Sequence, residues 1–363
     1  MKNKTPSPDR RLSRRKALVI AGVSLVLLIA LVFGGIALWF AARSERVVLR
    51  YEQTAVTDGM FRYMTSYYQY ELAAALAQSG TPLGSTPAFW DSDSLSPGQS
   101  NRAYVGEQVL SLIRQTLVAA ALYDRAGFAA SALSAEIESQ LAADTEEFGG
   151  GSTDAFSDYL TDRYGADYED YRRVTVMQCK ASALRSVFDG RGLAGDYAER
   201  YYTDNYMRCK VIFYKTAEGG GDLDEGALRN LGYLQALAAT SATVSESDFE
   251  ARRGSGDQSE AYTYQNYYLR RDAADRLSRT VRGLGEAGGV GFYYDEANGG
   301  YLVVARFPLD EKAYEKSENA EFFDGFYATA AILSLVPDVE RADEEALAAY
   351  DPATCPAYLP VAP

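Results

Sequence analysis

The chain has 363 residues, a formal net charge of −14, 28 tyrosines and no histidine. Histidine is the usual general base near neutral pH and the commonest metal ligand, so its absence excludes Ser-His-Asp and Cys-His nucleophilic sites and histidine-ligated zinc. What remains is carboxylate, lysine, tyrosine or cysteine chemistry, or binding without chemistry; an acidic chain is also not drawn to phosphate backbones, so no nucleic acid is expected as partner.

Residues 1–16 are a basic tail, with Lys2, Lys4, Arg10, Arg11, Arg14, Arg15 and Lys16 against Asp9 alone. Ala17 to Ala42 follows without one charged residue, a stretch that as a helix would run roughly 39 Å at ~1.5 Å per residue, enough to cross a ~30 Å hydrocarbon core. Ser13-Arg14-Arg15 is similar to a twin-arginine export signal. Against cleavage, the apolar run is too long for a signal peptide, ends in Leu38-Trp39-Phe40 and is followed by no convincing small-x-small site. No cysteine precedes Cys179, so no lipid-modified cysteine follows the run. The expectation is one transmembrane helix over 17–42 in the cell membrane, with a cytoplasmic N-terminus and about 320 residues outside the cytoplasm. With +6 in the tail, the rest carries −20. Cys179, Cys209 and Cys355 lie where disulfides can form, so one pair plus a free thiol and three unpaired thiols are both open.

Val47–Tyr51 reads as a short strand and Asp58–Leu76 as an amphipathic helix bearing Tyr63, Tyr67 and Tyr70, which at helical spacing read mainly as core. From Gly80 to Asn101 the prolines 82, 87 and 97 among Ser, Thr and Gly predict loop. Asp91-Ser-Asp93 begins like a calcium loop but fails at Leu95 and Arg102. Val105, Val109, Leu112, Ile113 and Leu117 predict a helix over 103–126, stopped at Gly127. Ser134 is expected to cap a helix with Ile137 and Leu141; a short helix with Phe156 and Leu160 and a longer one over 167–188 follow. The region 51–206 is thus a run of packed helices.

Beyond residue 207 the character changes. Cys209–Tyr214 and Tyr262–Leu269 read as strands, Asp224–Ala239, Glu246–Arg253 and Asp272–Arg282 as helices, and Val290–Tyr294 and Tyr301–Phe307 as a hairpin through Asn298-Gly299-Gly300. That order predicts a small α+β domain, making the whole chain α+β. Gly283-Leu-Gly285-Glu-Ala-Gly288 matches the dinucleotide fingerprint in letters, but a helix precedes it and a strand follows, the reverse of what nucleotide binding needs. No nucleotide is expected. Lys210, at a strand start, reads as a solvated or paired lysine before a nucleophile.

Several of these segments together resemble the extracytoplasmic foldases of the SurA and PrsA type, in which a helical chaperone domain is joined to a parvulin-type prolyl isomerase domain. In the helical part the likeness rests on Ala121-Leu-Tyr-Asp-Arg-Ala-Gly-Phe, Leu133-Ser-Ala-Glu, Phe148-Gly-Gly-Gly-Ser and Tyr164-Gly. In the second part it rests on Tyr201-Tyr202-Thr-Asp-Asn-Tyr206-Met-Arg208-Cys-Lys210-Val-Ile-Phe213, on Gly285-Glu286 and on Gly300-Tyr-Leu-Val-Val-Ala-Arg306. The resemblance implies a SurA-N-like helical domain over 47–206, a parvulin-like domain over 207–310, a C-terminal helix over 311–340 returning to the helical domain, and an irregular tail over 341–363. Asn266 stands where the family commonly has glycine.

The two histidines of the family's active site map onto Val211 and Leu302. The resemblance therefore implies a parvulin fold with isomerase activity weak or lost and no catalytic residue. Cys209, Val211 and Phe213 alternate onto one side of their strand, the side that in the family faces the substrate groove. Phe213, Tyr267, Tyr268 and Leu302 are the expected peptide contacts. No cofactor or metal is implied; the expected partners are unfolded or translocating polypeptides and the membrane. Two rival readings are an active prolyl isomerase with a histidine-free site and a non-catalytic envelope scaffold.

Overall fold

A computed structural model of the chain describes residues 46–78, 80–215, 223, 225–253, 262–273 and 275–358. The expected span over 17–42 and its basic tail lie outside these residues; among the described residues no helix is long and apolar enough to cross a membrane. The fold is mixed α and β, with two separate antiparallel sheets.

The chain enters through β1 (Val47–Tyr51) and, after a two-residue loop in which Glu52 adopts a positive φ of 52°, returns in β2 (Thr54–Thr57). Helix α1 (Asp58–Gln78) buries Met60, Phe61, Tyr63 and Met64; Tyr67 is half-buried and Tyr70 exposed. The expected loop of 80–101 contains one short helix, α2 (Pro87–Asp91), started by a Thr86 cap and anchored by Trp90. Ser100 caps α3 (Asn101–Arg125), whose Val105, Val109, Ile113 and Leu117, four residues apart, form a fully buried stripe.

Helices α4 (Ser134–Gly149), α5 (Thr153–Tyr164) and α6 (Tyr168–Val187) pack on α1 and α3. Ser134 is not the cap expected of it: it is the first helical residue, and its hydroxyl donates to the Ser131 carbonyl at 2.8 Å. Gly150 and Gly165 end α4 and α5 in the left-handed region, with φ of 57° and 67°, where a side chain is strained. Asp167 and Asp170 form a reciprocal capping box on α6. Two short helices, α7 (Arg191–Ala194) and α8 (Tyr197–Asn205), lead into the second sheet.

That sheet is built from β3 (Tyr206–Lys215), β4 (Tyr262–Arg270), β5 (Gly289–Asp295) and β6 (Gly300–Phe307), in the order β4-β3-β6-β5, all antiparallel. Helices α9 (Glu225–Ala239) and α10 (Glu246–Ala251) precede β4, and α11 (Arg276–Arg282) follows it. An aromatic cluster of Tyr201, Tyr202, Tyr206, Tyr314, Phe323 and Phe326 joins this sheet to the helices.

Two expectations for the C-terminal part are corrected. The helix expected over 311–340 is confined to α12 (Phe326–Leu335), because Gly325, with φ of 63°, starts it abruptly, and 313–315 and 317–322 are 3₁₀ turns held by the Asn319 amide on the Ala313 carbonyl. Nor is 341–363 an irregular tail: among its described residues α13 (Glu344–Ala349) is capped by Asp343, and β7 (Glu340–Arg341) just before it pairs with β1. Leu347, Tyr350 and Tyr358 join the main helical core. Prolines hid this segment, since its anchoring rings are too far apart to show a helical or strand period.

Tyr358 closes a ring cluster with Tyr63, Tyr67, Tyr70 and Tyr164, at centroid distances of 6.0, 5.3, 5.5 and 6.2 Å. The pairs with Tyr63 and Tyr67 are edge-to-face, and such pairs add about 0.5–1.5 kcal/mol each beyond area burial. Tyr358→Ala is expected to lower stability by about 2–3 kcal/mol in urea unfolding, below the ~3–5 of a fully buried aromatic because this ring is only half-buried. A loss under ~0.5 kcal/mol would show that the segment is not part of the folded body.

Candidate functional site

Successive residues of a strand point to opposite faces, so the register decides which side chains meet. Paired partners are Val211 with Val304 and Phe213 with Leu302, and Cys209 lies between Arg306 and Tyr267 on its two flanks. One face of the sheet therefore collects Cys209, Val211, Phe213, Tyr267, Leu302 and Val304. The opposite face carries Ile212, Tyr214, Val303, Ala305 and Phe307 and is covered by Ala227, Leu231 and Leu234 of α9 and Phe249 of α10.

The first face is covered only in part, by Val281, Leu277 and Leu284 in and after α11. Phe213, Tyr267, Leu302 and the neighbouring Tyr293 are half-exposed. Phe213 lies against the backbone of Gly300, where an added Cβ would stand 2.5 Å from its ring, so a bare glycine lets the ring lie flat on the sheet end. The guanidinium of Arg276 sits 4.2 Å from the Tyr293 ring centroid at the rim.

Tyr268 does not join them. Adjacent strand positions cannot share a face, and this ring is 4% exposed, packed on Phe322 and Phe323 at 5.8 and 5.3 Å, with its hydroxyl donated to Asp310. Tyr267 and Tyr268 read as a pair in sequence because both are aromatic, but the period of two separates them.

Three ionisable side chains of the open face are all shifted upward. Cys209 is fully buried, and burial pushes its thiol up to about 12; burial likewise raises Tyr267 and Tyr293. Val211 and Leu302 sit diagonally across β3 and β6 on this face. Such a surface can bury apolar side chains and desolvate a peptide bond.

Arg306, opposite Cys209, is buried at the end of this face and paired with Glu286, and two further cations sit on the other side. Arg208 and Lys210 are both 7% exposed. Glu246 pairs with both, Asp310 reaches Arg208 Nε at 3.1 Å, and Glu250 pairs with Lys210. Lys210 is thus a paired lysine. Burial works against ionised Glu246, but hydrogen bonds from Arg208 and Lys210 outweigh it and hold the carboxyl below its usual range. Gly283 to Gly288 runs from the end of α11 into β5; Gly288, at φ 90°, has the Val244 carbonyl where a Cβ would be and accepts a bond from Val244 N at 2.9 Å. No helix N-terminus follows it.

A second concavity lies in the helical part, where sequence reasoning had no signal. A cleft of about 770 Å³ runs between β2, α4 and α6, lined by Thr54, Ala55, Met60, Ile137, Val176 and Met177 among others. β2 is too short to stand out by periodicity. All three thiols, Cys179, Cys209 and Cys355, are unpaired.

No protein-family model matches the chain, and no curated protein matches it. Among solved structures, the foldase protein PrsA from Streptococcus pneumoniae matches at 14% identity over 80% of this chain and 87% of that chain, with a TM-score of 0.19, a likeness too slight to bear on fold or function.

Two outcomes follow from the site's electrostatics. Because the folded carboxyl of Glu246 is depressed, its contribution to stability is present above the unfolded value of about 4.3 and lost as pH falls through the folded one. Glu246→Gln is expected to be less stable at neutral pH and to lose less stability between pH 5 and 3; parallel curves would show that the network is not formed. In the native chain N-ethylmaleimide should modify half-exposed Cys355 well before buried Cys209, read by peptide mass. Equal rates would contradict the burial of Cys209.

Proposed function

We propose that this chain is a membrane-anchored extracytoplasmic chaperone of the foldase type, which binds unfolded exported polypeptides and whose prolyl isomerase activity is weak or lost. The observation that carries the reading is the half-open apolar face of Phe213, Tyr267 and Leu302, with aliphatic Val211 and Leu302 at the positions where the resembling family has histidine. In this reading the helical part is SurA-N-like and the sheet is parvulin-like. Residues 17–42 are the anchor.

Apolar client side chains lose water against this face at about 25 cal/mol per Å², and a proline-containing segment placed there has its amide partly desolvated. Rotation about that bond meets a barrier of ~18–20 kcal/mol. Desolvation favours the less polar twisted amide, but the face supplies no histidine-centred hydrogen-bond network to assist it. Binding is therefore strong relative to catalysis. The anchor would raise the local concentration of binding sites near emerging chains. No cofactor enters this scheme, and the ectodomain's negative charge disfavours nucleic acid.

The test is the cis–trans rate of a panel of X-Pro peptides with and without the full chain in detergent, beside suppression of aggregation of several unrelated unfolded proteins. The expected result is less than a twofold rate change with clear suppression, reduced by Phe213→Ala. A concentration-dependent acceleration lost in Leu302→Ala would make the chain an active isomerase. One stoichiometric partner without suppression would make it a scaffold.

A further inference from the structure

We infer that the outer edge of β2 is a strand-addition site, where an extended polypeptide segment pairs with β2 and seats its apolar side chains in the adjoining cleft; the inference rests on the proposed function and names a place where a client is held.

β2 is the outermost strand of its sheet, in the order β2-β1-β7. Tyr51 and Thr54 form the pair that closes the two-residue loop, so the next pair, Arg50 with Ala55, falls on the other phase of the antiparallel ladder. In that phase the N–H and C=O of Ala55 point away from β1. Exposed edges are commonly blunted by proline or lysine; β2 reads Thr-Ala-Val-Thr and has neither.

The cleft lies along this edge. It is lined by both Thr54 and Ala55, and since neighbouring strand residues face opposite ways, a cavity reached by both flanks the strand rather than covering one face of the sheet. Its volume of about 770 Å³ lies within the ~300–1,000 Å³ of ligand-binding clefts. The lining combines charged Asp124, Glu138, Arg172, Arg173 and Lys180 with an apolar part of Met60, Ile137, Val176 and Met177, whose two methionines have unbranched side chains that adapt to different shapes. Main-chain pairing is indifferent to sequence, while adaptable apolar pockets select only for hydrophobicity. Together they suit an unfolded client better than one fixed ligand.

The position of the cleft argues for the same occupant. Val47 lines it and stands five residues beyond Ala42, where the uncharged run ends, so even a fully extended linker spans only about 17 Å. With that run as anchor, the edge of β2 is held close to the bilayer, where an exported chain is still extended.

The probe is a fluorescein-labelled ten-residue peptide alternating valine and serine, compared with the same peptide N-methylated at alternate amides, titrated by anisotropy against the full chain in detergent. Binding is expected to weaken at least tenfold on N-methylation and at least tenfold in Ala55→Pro, whose circular dichroism should match the unaltered chain. If Ala55→Pro fails to fold, the N-methyl comparison together with Val176→Glu decides the matter. Equal affinity for both peptides, or affinity untouched by Ala55→Pro and Val176→Glu, would overturn the edge site. Suppression of aggregation that persists in that case leaves the foldase reading standing, whereas a chain that neither binds the peptide nor suppresses aggregation fails the reading itself. A dimer in sedimentation that Ala55→Pro dissolves would mean that the edge pairs with a second copy, which also overturns the proposal.

Discussion

The pairing of the first strand with a segment nearly three hundred residues later is the constraint on which the architecture depends. β1 lies between β2 and β7, with Leu49 opposite Arg341 and Arg50 opposite Glu340, and the N–H of Ala342 donates to the Val48 carbonyl at 3.0 Å. Arg46 adds ion pairs to Asp343 and Glu345, 297 and 299 residues away. Those ion pairs are exposed, and exposed pairs contribute little. Fully buried Val48 and Leu49 supply the energy, packed in one core with Val339 and Leu347. The helices from α1 to α6 pack in this same core, and the chain then leaves it and comes back before β7. The four-stranded sheet is the excursion, and the cluster around Tyr202, Tyr206 and Phe326 holds its outgoing and returning connections together.

Within the excursion, one sheet separates two kinds of chemistry. Odd-numbered positions of β3 are Met207, Cys209, Val211 and Phe213; even-numbered ones include Arg208 and Lys210. Two buried cations are tolerable only where carboxylates meet them, and Glu246, Glu250 and Asp310 all lie on that side. Most of the cost of burying charge thus falls on the face that α10 covers; on the other face Arg306 is the only buried charge among the described residues, opposite Cys209 and paired with Glu286. The middle of that other face, at Cys209, Val211, Phe213, Leu302 and Val304, is uncharged, and its interaction with a peptide is governed by area and shape.

Much of this was legible in the sequence. Long elements with a clear period, such as Asn101–Arg125 and Tyr168–Val187, were readable to within two residues, as was the order of strands and helices from 206 to 307. The alternation that assigns Phe213 and Val211 to one face was also readable. What escaped has a common cause: it depends on partners distant in sequence. β2 is four residues long and is a strand because β1 is beside it. The segment around Tyr350 and Tyr358 looks like a proline-rich tail until Tyr63 and Tyr164 are placed next to it. Tyr268 looks like a contact residue until Phe323 and Asp310 enclose it.

The tyrosine cluster also fixes an order of events. Tyr63 and Tyr358, whose hydroxyls meet at 3.5 Å, are 295 residues apart, and the entropy of closing so long a loop must be met before the contact returns anything. A chain that emerges N-terminus first exposes Tyr63, Tyr67 and the stripe of α1 for the whole interval in which the intervening sheet is being made. During that interval the nascent molecule displays an aromatic groove of its own, and a segment made 295 residues later is the one that fills it. The molecule is thus, for part of its own synthesis, in the condition of the polypeptides it is proposed to hold.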